Sequence, residues 1–237
     1  VPVSAPTHDT PVPPDVSHLT TEDDQPVENS FQDKQCDILT EALRVSWSEG
    51  RPFLSASDVA IFPVAKDEAA IVPDVLLSLG VEPPGPSNAK EFRSYYIWNF
   101  GKPPEIVFEI VSNKSGGEDT TKLERYAQIR VPYYVIYDPD AQLSSRPLRI
   151  FQLTGLSYVE KVDRLFPDIG LGLTTWFGEF DGFREQWLRW VDPDGNLLAV
   201  GEEEHRRAEQ ESERAEQASA EVERLRQKLR ELGVEPD

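Results

Sequence analysis

Apolar residues return every three to four positions through Ile38, Leu39, Ala42, Leu43 and Trp47, and Gly50, Arg51 and Pro52 follow as a stop. This spacing predicts an amphipathic helix that begins near Phe31. The pattern then shortens. Ser57 to Val64 and Ile71 to Leu79 read as two strands joined by the polar turn Ala65 to Ala70, and Glu82 to Lys90, rich in proline, reads as a loop. Ile106 to Ser112 is a third strand, with Ile106, Phe108 and Ile110 on one face and Val107, Glu109 and Val111 on the other. A helix follows from an N-cap at Asp119 to Gln128 or Ile129, ended by Pro132, and Tyr133 to Asp138 reads as a buried strand. Strand, helix and strand in so short a span predict parallel pairing through a right-handed crossover. Leu148 to Leu153 and Ser157 to Val162 read as an antiparallel pair around Gly155. Trp187 to Val200 reads as a hairpin turning at Asp192, Pro193, Asp194 and Gly195.

The ends of the chain differ from this middle. Residues 1–30 are rich in Pro, Asp, Glu, Ser and Thr and lack an apolar run, so a disordered acidic tail is expected there, with the folded domain over 31–200. Across 201–237 a heptad seam appears: Ala208, Ala215, Val222 and Leu229 are seven apart, as are Ala218, Leu225 and Leu232. Its first half is seamed by alanines and holds Glu211 at a core position, so the Leu-bearing half is the better pairing surface of this coiled-coil-like tail.

Charge narrows the chemistry. The formal net charge is −19, of which the stretches 1–37 and 202–237 supply −12. Such a chain does not hold duplex by phosphate neutralisation at large, and a nucleic-acid role has to rest on a local patch. Lys90, Arg93, Lys102, Lys114, Lys122, Arg125 and Arg130 are the candidates for that patch. Cys36 is the only cysteine, which excludes an intramolecular disulfide and suits a reducing cytoplasm. No apolar run has the length of a membrane span, and no secretory signal pattern is present, so no membrane partner is expected.

The three histidines, His8, His18 and His205, all fall outside the expected core. A Ser/His/Asp or Cys/His hydrolase and a His-ligated zinc site are therefore excluded. Gly116 and Gly117 are not followed by the Lys-Ser/Thr pair of a phosphate loop. Carboxylates, lysines and a hard cation remain. Glu109 stands in the middle of an otherwise apolar strand, where a charge needs a cation, hydrogen bonds or a raised pKa. Asp74 follows Pro73 in a second apolar run. If their strands pair as a meander, the two acids converge on one cation, and Mg2+ with two carboxylates and several waters is a common arrangement for phosphoryl chemistry. Asp58 and Glu41 are more simply surface acids. Asp138, before Pro139, is a turn former, and Tyr126, Tyr133, Tyr134, Trp187 and Trp190 read as packing.

Val72-Pro73-Asp74-Val75, Pro104 through Ser112, Lys122-Leu123-Glu124-Arg125-Tyr126, and Val131 through Pro139 occur in this order. Together they resemble the Uma-two family of restriction endonucleases, placed in the PD-(D/E)XK nuclease superfamily. The resemblance covers residues 31–200 and extends to the helical tail. It implies an α/β fold with a restriction-endonuclease-like mixed β-sheet flanked by helices. It also implies Mg2+ or Mn2+ held by Asp74 and Glu109. The lysine usual two residues after the strand carboxylate is absent, since that position is Val111, and the resemblance implies a migrated catalytic lysine, Lys122. The expected activity is metal-dependent endonucleolytic hydrolysis of DNA. The alternative is a catalytically silent nuclease fold that binds or scaffolds through its C-terminal helix. Residues 208–232 would then serve either to join two copies or to dock a different protein.

Overall fold

The computed structural model describes residues 30–47, 50–63, 70–82, 94–113, 116–201 and 203, with Arg214, Val222 and Arg224 as separate helical positions. The elements begin with α1 (Ser30–Ser46), β1 (Phe53–Ser57), β2 (Ile61–Phe62), β3 (Val75–Leu79), β4 (Tyr95–Tyr96) and α2 (Ile97–Phe100). They continue with β5 (Ile106–Ile110), α3 (Thr121–Gln128), β6 (Tyr133–Tyr137), β7 (Leu148–Thr154) and β8 (Ser157–Lys161). β9 (Leu165–Phe166), β10 (Leu171–Phe180) and β11 (Phe183–Val191) complete the set.

A six-stranded sheet in the order β1-β3-β5-β6-β7-β8 organises the molecule. β5 and β6 are parallel, as the intervening α3 requires, and every other neighbouring pair is antiparallel. The fold is thus mixed α/β, with helices on a large mixed sheet. β9, β10 and β11 form a separate antiparallel sheet, and β2 pairs with β4 in parallel.

Two apolar layers cover the main sheet. On one face, Val75, Leu77, Phe108, Ile110, Tyr133, Val135 and Tyr137 pack with Ile38, Leu39 and Leu43 of α1 and with Trp187, Leu188 and Trp190 of β11. The indole N–H of Trp190 donates to the Leu39 carbonyl, and the Gln35 amide exchanges two hydrogen bonds with the main chain of Leu188. On the other face, Leu76, Val107, Val111, Tyr134 and Ile136 pack beneath Tyr126 of α3. Burying a side chain such as Trp or Phe in either layer stabilises by roughly 1.5–3 kcal/mol or more.

Four expectations need correction. The strand read at Ser57 to Val64 is divided: β1 ends where Asp58 turns the chain at φ 54°, and only Ile61 and Phe62 pair again. Asp tolerates this left-handed conformation better than most residues. The strand read from Ile71 starts at Val75, because Pro73 has no N–H to continue the ladder and Ile71 instead bridges Ile61. The N-cap of α3 is Thr120 and not Asp119; the Gly117 carbonyl takes the N–H groups of Thr120 and Lys122. The long C-terminal hairpin turns at Asp181 and Gly182, ahead of the reversal read at Asp192 to Gly195, which is present but short. Phe180 faces Phe183, and both turn residues have positive φ, 48° and 79°, as a tight hairpin of this twist requires. Asp192 closes that reversal by accepting from the Asp194 and Asn196 N–H groups, and beyond it Val191 bridges Leu197 and the Leu198 N–H donates to the Trp190 carbonyl.

The acidic stretch 1–29, most of the turn Ala65 to Ala70, most of the loop Glu82 to Lys90, all three histidines, and nearly all of the heptad segment lie outside the described residues. Among the described residues no helix is long and apolar enough to cross a membrane.

Candidate active site

Side-chain alternation along β5 sends Phe108 and Ile110 into the α1 layer and Val107 and Val111 into the α3 layer, with Glu109 on the same side as the latter pair. Glu109 is 1% exposed. Its Oε2 accepts from the Lys122 ammonium at 2.7 Å, and its Oε1 accepts from the Tyr126 hydroxyl at 2.6 Å. Lys122 and Tyr126 are four residues apart on α3, so one helical face delivers both donors to one carboxylate. The compensation is partial. Burial, reinforced by the negative charge of Asp74, pushes the Glu109 carboxyl up to about 8, against the opposing pull of Lys122 and Tyr126.

Asp74 stands across from Glu109. Val75 pairs with Phe108, and the ladder continues one step further as the Asp74 N–H donates to the Phe108 carbonyl. This register sets the two acids opposite each other on neighbouring strands. Pro73 then breaks the ladder, and the Asp74 side chain takes over: Oδ2 accepts from the Ile110 N–H. Oδ1 accepts from the Gln32 amide of α1 at 2.9 Å. Burial raises the Asp74 carboxyl to about 6, while the Ile110 N–H, the Lys122 charge and Gln32 act in the opposite direction. Both acids therefore titrate above the ordinary carboxylate range.

For Lys122, burial works against the charged form, but Glu109, then Glu118 and Asp74, more than offset it and hold the ammonium above its ordinary pKa. It is a cation at neutral pH. Glu118 is itself buried, with Oε1 at 3.7 Å from the Lys122 ammonium. Val111, two residues after Glu109, is 2% exposed in the apolar layer.

The three residues singled out from the sequence, Asp74, Glu109 and Lys122, are thus linked by position, hydrogen bond and charge. Three further contributors were not read there. Tyr126 was assigned to packing, although its spacing from Lys122 carried the signal. Glu118 stands four residues before Lys122, the spacing that brings side chains together on a helix, but it lies just ahead of α3. Gln32 is 42 positions from Asp74 in sequence, and no local pattern announces that contact. Asp58 is exposed, and its N–H donates to the Asp74 carbonyl; Glu41 accepts from Gly201 N–H beside α1. Neither approaches Glu109 as a ligand. Asp138 accepts three main-chain N–H groups, from Gln142, Leu143 and Ser144, as a turn former does. Of the basic candidates, Lys102 pairs with Glu105, Arg125 donates to the Ala70 carbonyl and Arg130 to the Gly155 carbonyl. Lys90, Arg93 and Lys114 lie outside the described residues.

Among the described residues no group of three or more His, Cys, Asp or Glu side chains gathers to hold a metal ion. The available donor set is the carboxylate pair Asp74 and Glu109. Hard oxygen donors, two in number and incompletely neutralised by the protein, fit a divalent cation of the Mg2+ or Mn2+ class that keeps most of its waters.

Residues 22–168, more than half of the chain, match the family model Uma2, described as "Putative restriction endonuclease". A crystal structure titled as a putative nuclease belonging to DUF820 from Anabaena variabilis ATCC 29413 is similar at 13% identity and a TM-score of 0.41, covering 59% of this chain and 71% of its own. No curated protein matches the chain.

Proposed function

Because the chain belongs to the Uma2 family, described as "Putative restriction endonuclease", we propose that it is a divalent-metal-dependent endonuclease that hydrolyses DNA phosphodiester bonds at Asp74, Glu109 and Lys122. The observation that carries this reading is the pairing of Asp74 with Glu109 across β3 and β5, with the Lys122 ammonium on Glu109. A bound Mg2+ or Mn2+, held by the two carboxylates, would supply Lewis-acid polarisation of a phosphate oxygen and a more acidic water. In hydrolysis a water oxygen forms a bond to phosphorus and gives its proton to solvent, while the ester oxygen leaves and takes up a proton from solvent. Lys122, charged at neutral pH, donates hydrogen bonds: it orients the water and offsets the negative charge that grows on the phosphoryl group. It is not the base. Tyr126 fixes Glu109 by one oxygen, while Gln32 and the Ile110 N–H fix Asp74, so neither carboxylate swings freely.

A reducing cytoplasm suits the single buried thiol of Cys36. The heptad positions of 208–232 would join two copies, presenting two sites to two strands. A silent fold that acts through that helix is the second reading, favoured by the net charge of −19 and by apolar Val111.

The test is cleavage of supercoiled plasmid and of single-stranded DNA with Mg2+ or Mn2+, by wild type beside Asp74→Ala, Glu109→Ala and Lys122→Ala. Each substitution is expected to lower the rate by at least about 100-fold. Equal nicking by all four proteins removes the nuclease reading in favour of the silent fold.

A further inference from the structure

Glu118 is an acid that the mechanism above leaves unused. It is 6% exposed, and among the described residues its buried carboxylate Oε2 has no hydrogen-bond partner. A buried carboxylate oxygen with no donor is costly, and a native chain retains one where the group has work in another state. The residue is firmly seated, since its carbonyl accepts from the Tyr134 hydroxyl at 2.7 Å. Space is kept for its carboxylate as well: a Cβ on Gly116 would lie 1.8 Å from Oε1, so a larger residue there would push the carboxylate from its place.

Among the described residues, the cation that pairs with it is Lys122. At 3.7 Å the contact is an ion pair too long for a good hydrogen bond, whereas Glu109 holds the same ammonium at 2.7 Å. The ammonium is thus bonded to one carboxylate with a second in waiting. A cation on Glu109 would draw on the oxygen that now serves Lys122 and would repel the ammonium at close range. Glu118 offers the place where Lys122 stays charged and near.

We propose that Glu118 is a positioning residue for Lys122, the carboxylate that retains the ammonium at the site when Glu109 is engaged by a cation; this rests on the metal-dependent nuclease reading above. The chemistry asked of Glu118 is to accept a hydrogen bond from the Lys122 ammonium and nothing more. No bond to phosphorus or to the cation is assigned to it.

The experiment uses the full chain with Glu118→Gln, Glu118→Asp, Gly116→Ala, Lys122→Ala and the double variant Lys122→Ala/Glu118→Gln. Two readouts are taken. The first is Mg2+-dependent plasmid cleavage. The second is the lysine ammonium signal in 1H–15N spectra with and without Mg2+, assigned by its loss in Lys122→Arg. In wild type the Lys122 signal is expected to persist on Mg2+ addition, because a hydrogen-bonded ammonium exchanges slowly, and in Glu118→Gln to vanish. Cleavage by Glu118→Gln is expected to lose about 10-fold or more in kcat, with KM for DNA and Mg2+ half-saturation unchanged. Glu118→Asp regains part of the rate, Gly116→Ala loses rate with every titratable group still present, and the double variant is no slower than Lys122→Ala alone. Wild-type behaviour of Glu118→Gln in both readouts overturns the proposal. So does a changed Mg2+ half-saturation, which would make Glu118 a ligand, or a double variant slower by the product of the two single losses. If no protein cuts DNA while the ammonium signal behaves as described, the nuclease reading fails and the positioning role stands.

Discussion

The two faces of β5 are built from alternate residues of one pentapeptide, yet they behave as different materials. Toward α1, Phe108 and Ile110 meet only apolar neighbours, and the polar groups that do enter that layer leave no debt: Gln35 spends its amide on both main-chain groups of Leu188. Toward α3, Glu109 is as deeply placed, and half-buried Asp74 stands opposite it; their donors do not fully offset burial, and both carboxyls rise. One face holds the sheet together while the other holds unbalanced charge. Partial satisfaction of a buried polar group is unfavourable for stability and useful for recruiting a cation.

Removing a large side chain from the apolar face should break this comparison most forcefully. Phe108→Ala is expected to cost about 3–5 kcal/mol of stability in denaturant unfolding, since it opens a cavity against Trp190. Glu109→Gln, next to it in sequence, is expected to leave stability unchanged or to raise it at pH 8. If the two substitutions destabilise equally, the faces are not different in kind.

Acid titration sharpens the same contrast. Unfolded, the two carboxyls titrate near 3.8 and 4.5; folded, they do so near 6 and near 8. Between these limits the folded chain binds more protons than the unfolded one, so its stability falls as pH rises through the window from about 4 to about 8. At about 1.4 kcal/mol for each pH unit by which a carboxyl is displaced, the loss amounts to several kcal/mol in the metal-free protein. Because a cation must displace those protons, the gain in Tm on adding Mg2+ should grow over the same range. A flat profile in wild type, or one that Glu109→Gln leaves unaltered, would show that the site carries no such strain.

The smallest effect concerns a single hydroxyl. Tyr126→Phe keeps the packing against Tyr134 and removes one of the two donors to Glu109. A weakening of Mg2+ half-saturation by about fivefold is expected, roughly 1 kcal/mol. Unchanged metal binding would return Tyr126 to the packing role that its composition alone suggests.

These residues also mark what a sequence discloses. Glu109 is conspicuous because a charge interrupts a strict apolar alternation, and the β5–α3–β6 order follows from period and spacing alone. Asp74 and Lys122 needed more than periodicity, since a carboxylate after proline and a lysine on a helix have ordinary solvent-exposed explanations, and the resemblance to a nuclease family supplied the rest. Gln32 was invisible because its partner lies across the fold. The β10–β11 hairpin was missed for another reason. Asp181-Gly182 is a strong turn dipeptide, but it is flanked by segments whose outer positions are exposed and mixed, whereas Asp192 to Gly195 stands beside the apolar Trp187 to Val191 run and drew the assignment. At Asp58 a left-handed residue divides the segment read as one strand, and a single acid near its start reads equally well as a solvent-facing strand position.

The hydrogen bond from Ile110 to Asp74 joins the site to the main chain in an unusual currency. Where Pro73 ends the ladder, the last rung between β3 and β5 is a carboxylate and not a carbonyl. A carbonyl is the same acceptor at every pH and in every ligand state. A carboxylate is not. The Ile110 amide proton is therefore a resident spectator of the site: its chemical shift and its rate of exchange with solvent change whenever Asp74 gains a proton or shares an oxygen with a cation. The occupancy of the site is written into the backbone of the central strand, where it can be read without any substrate at all.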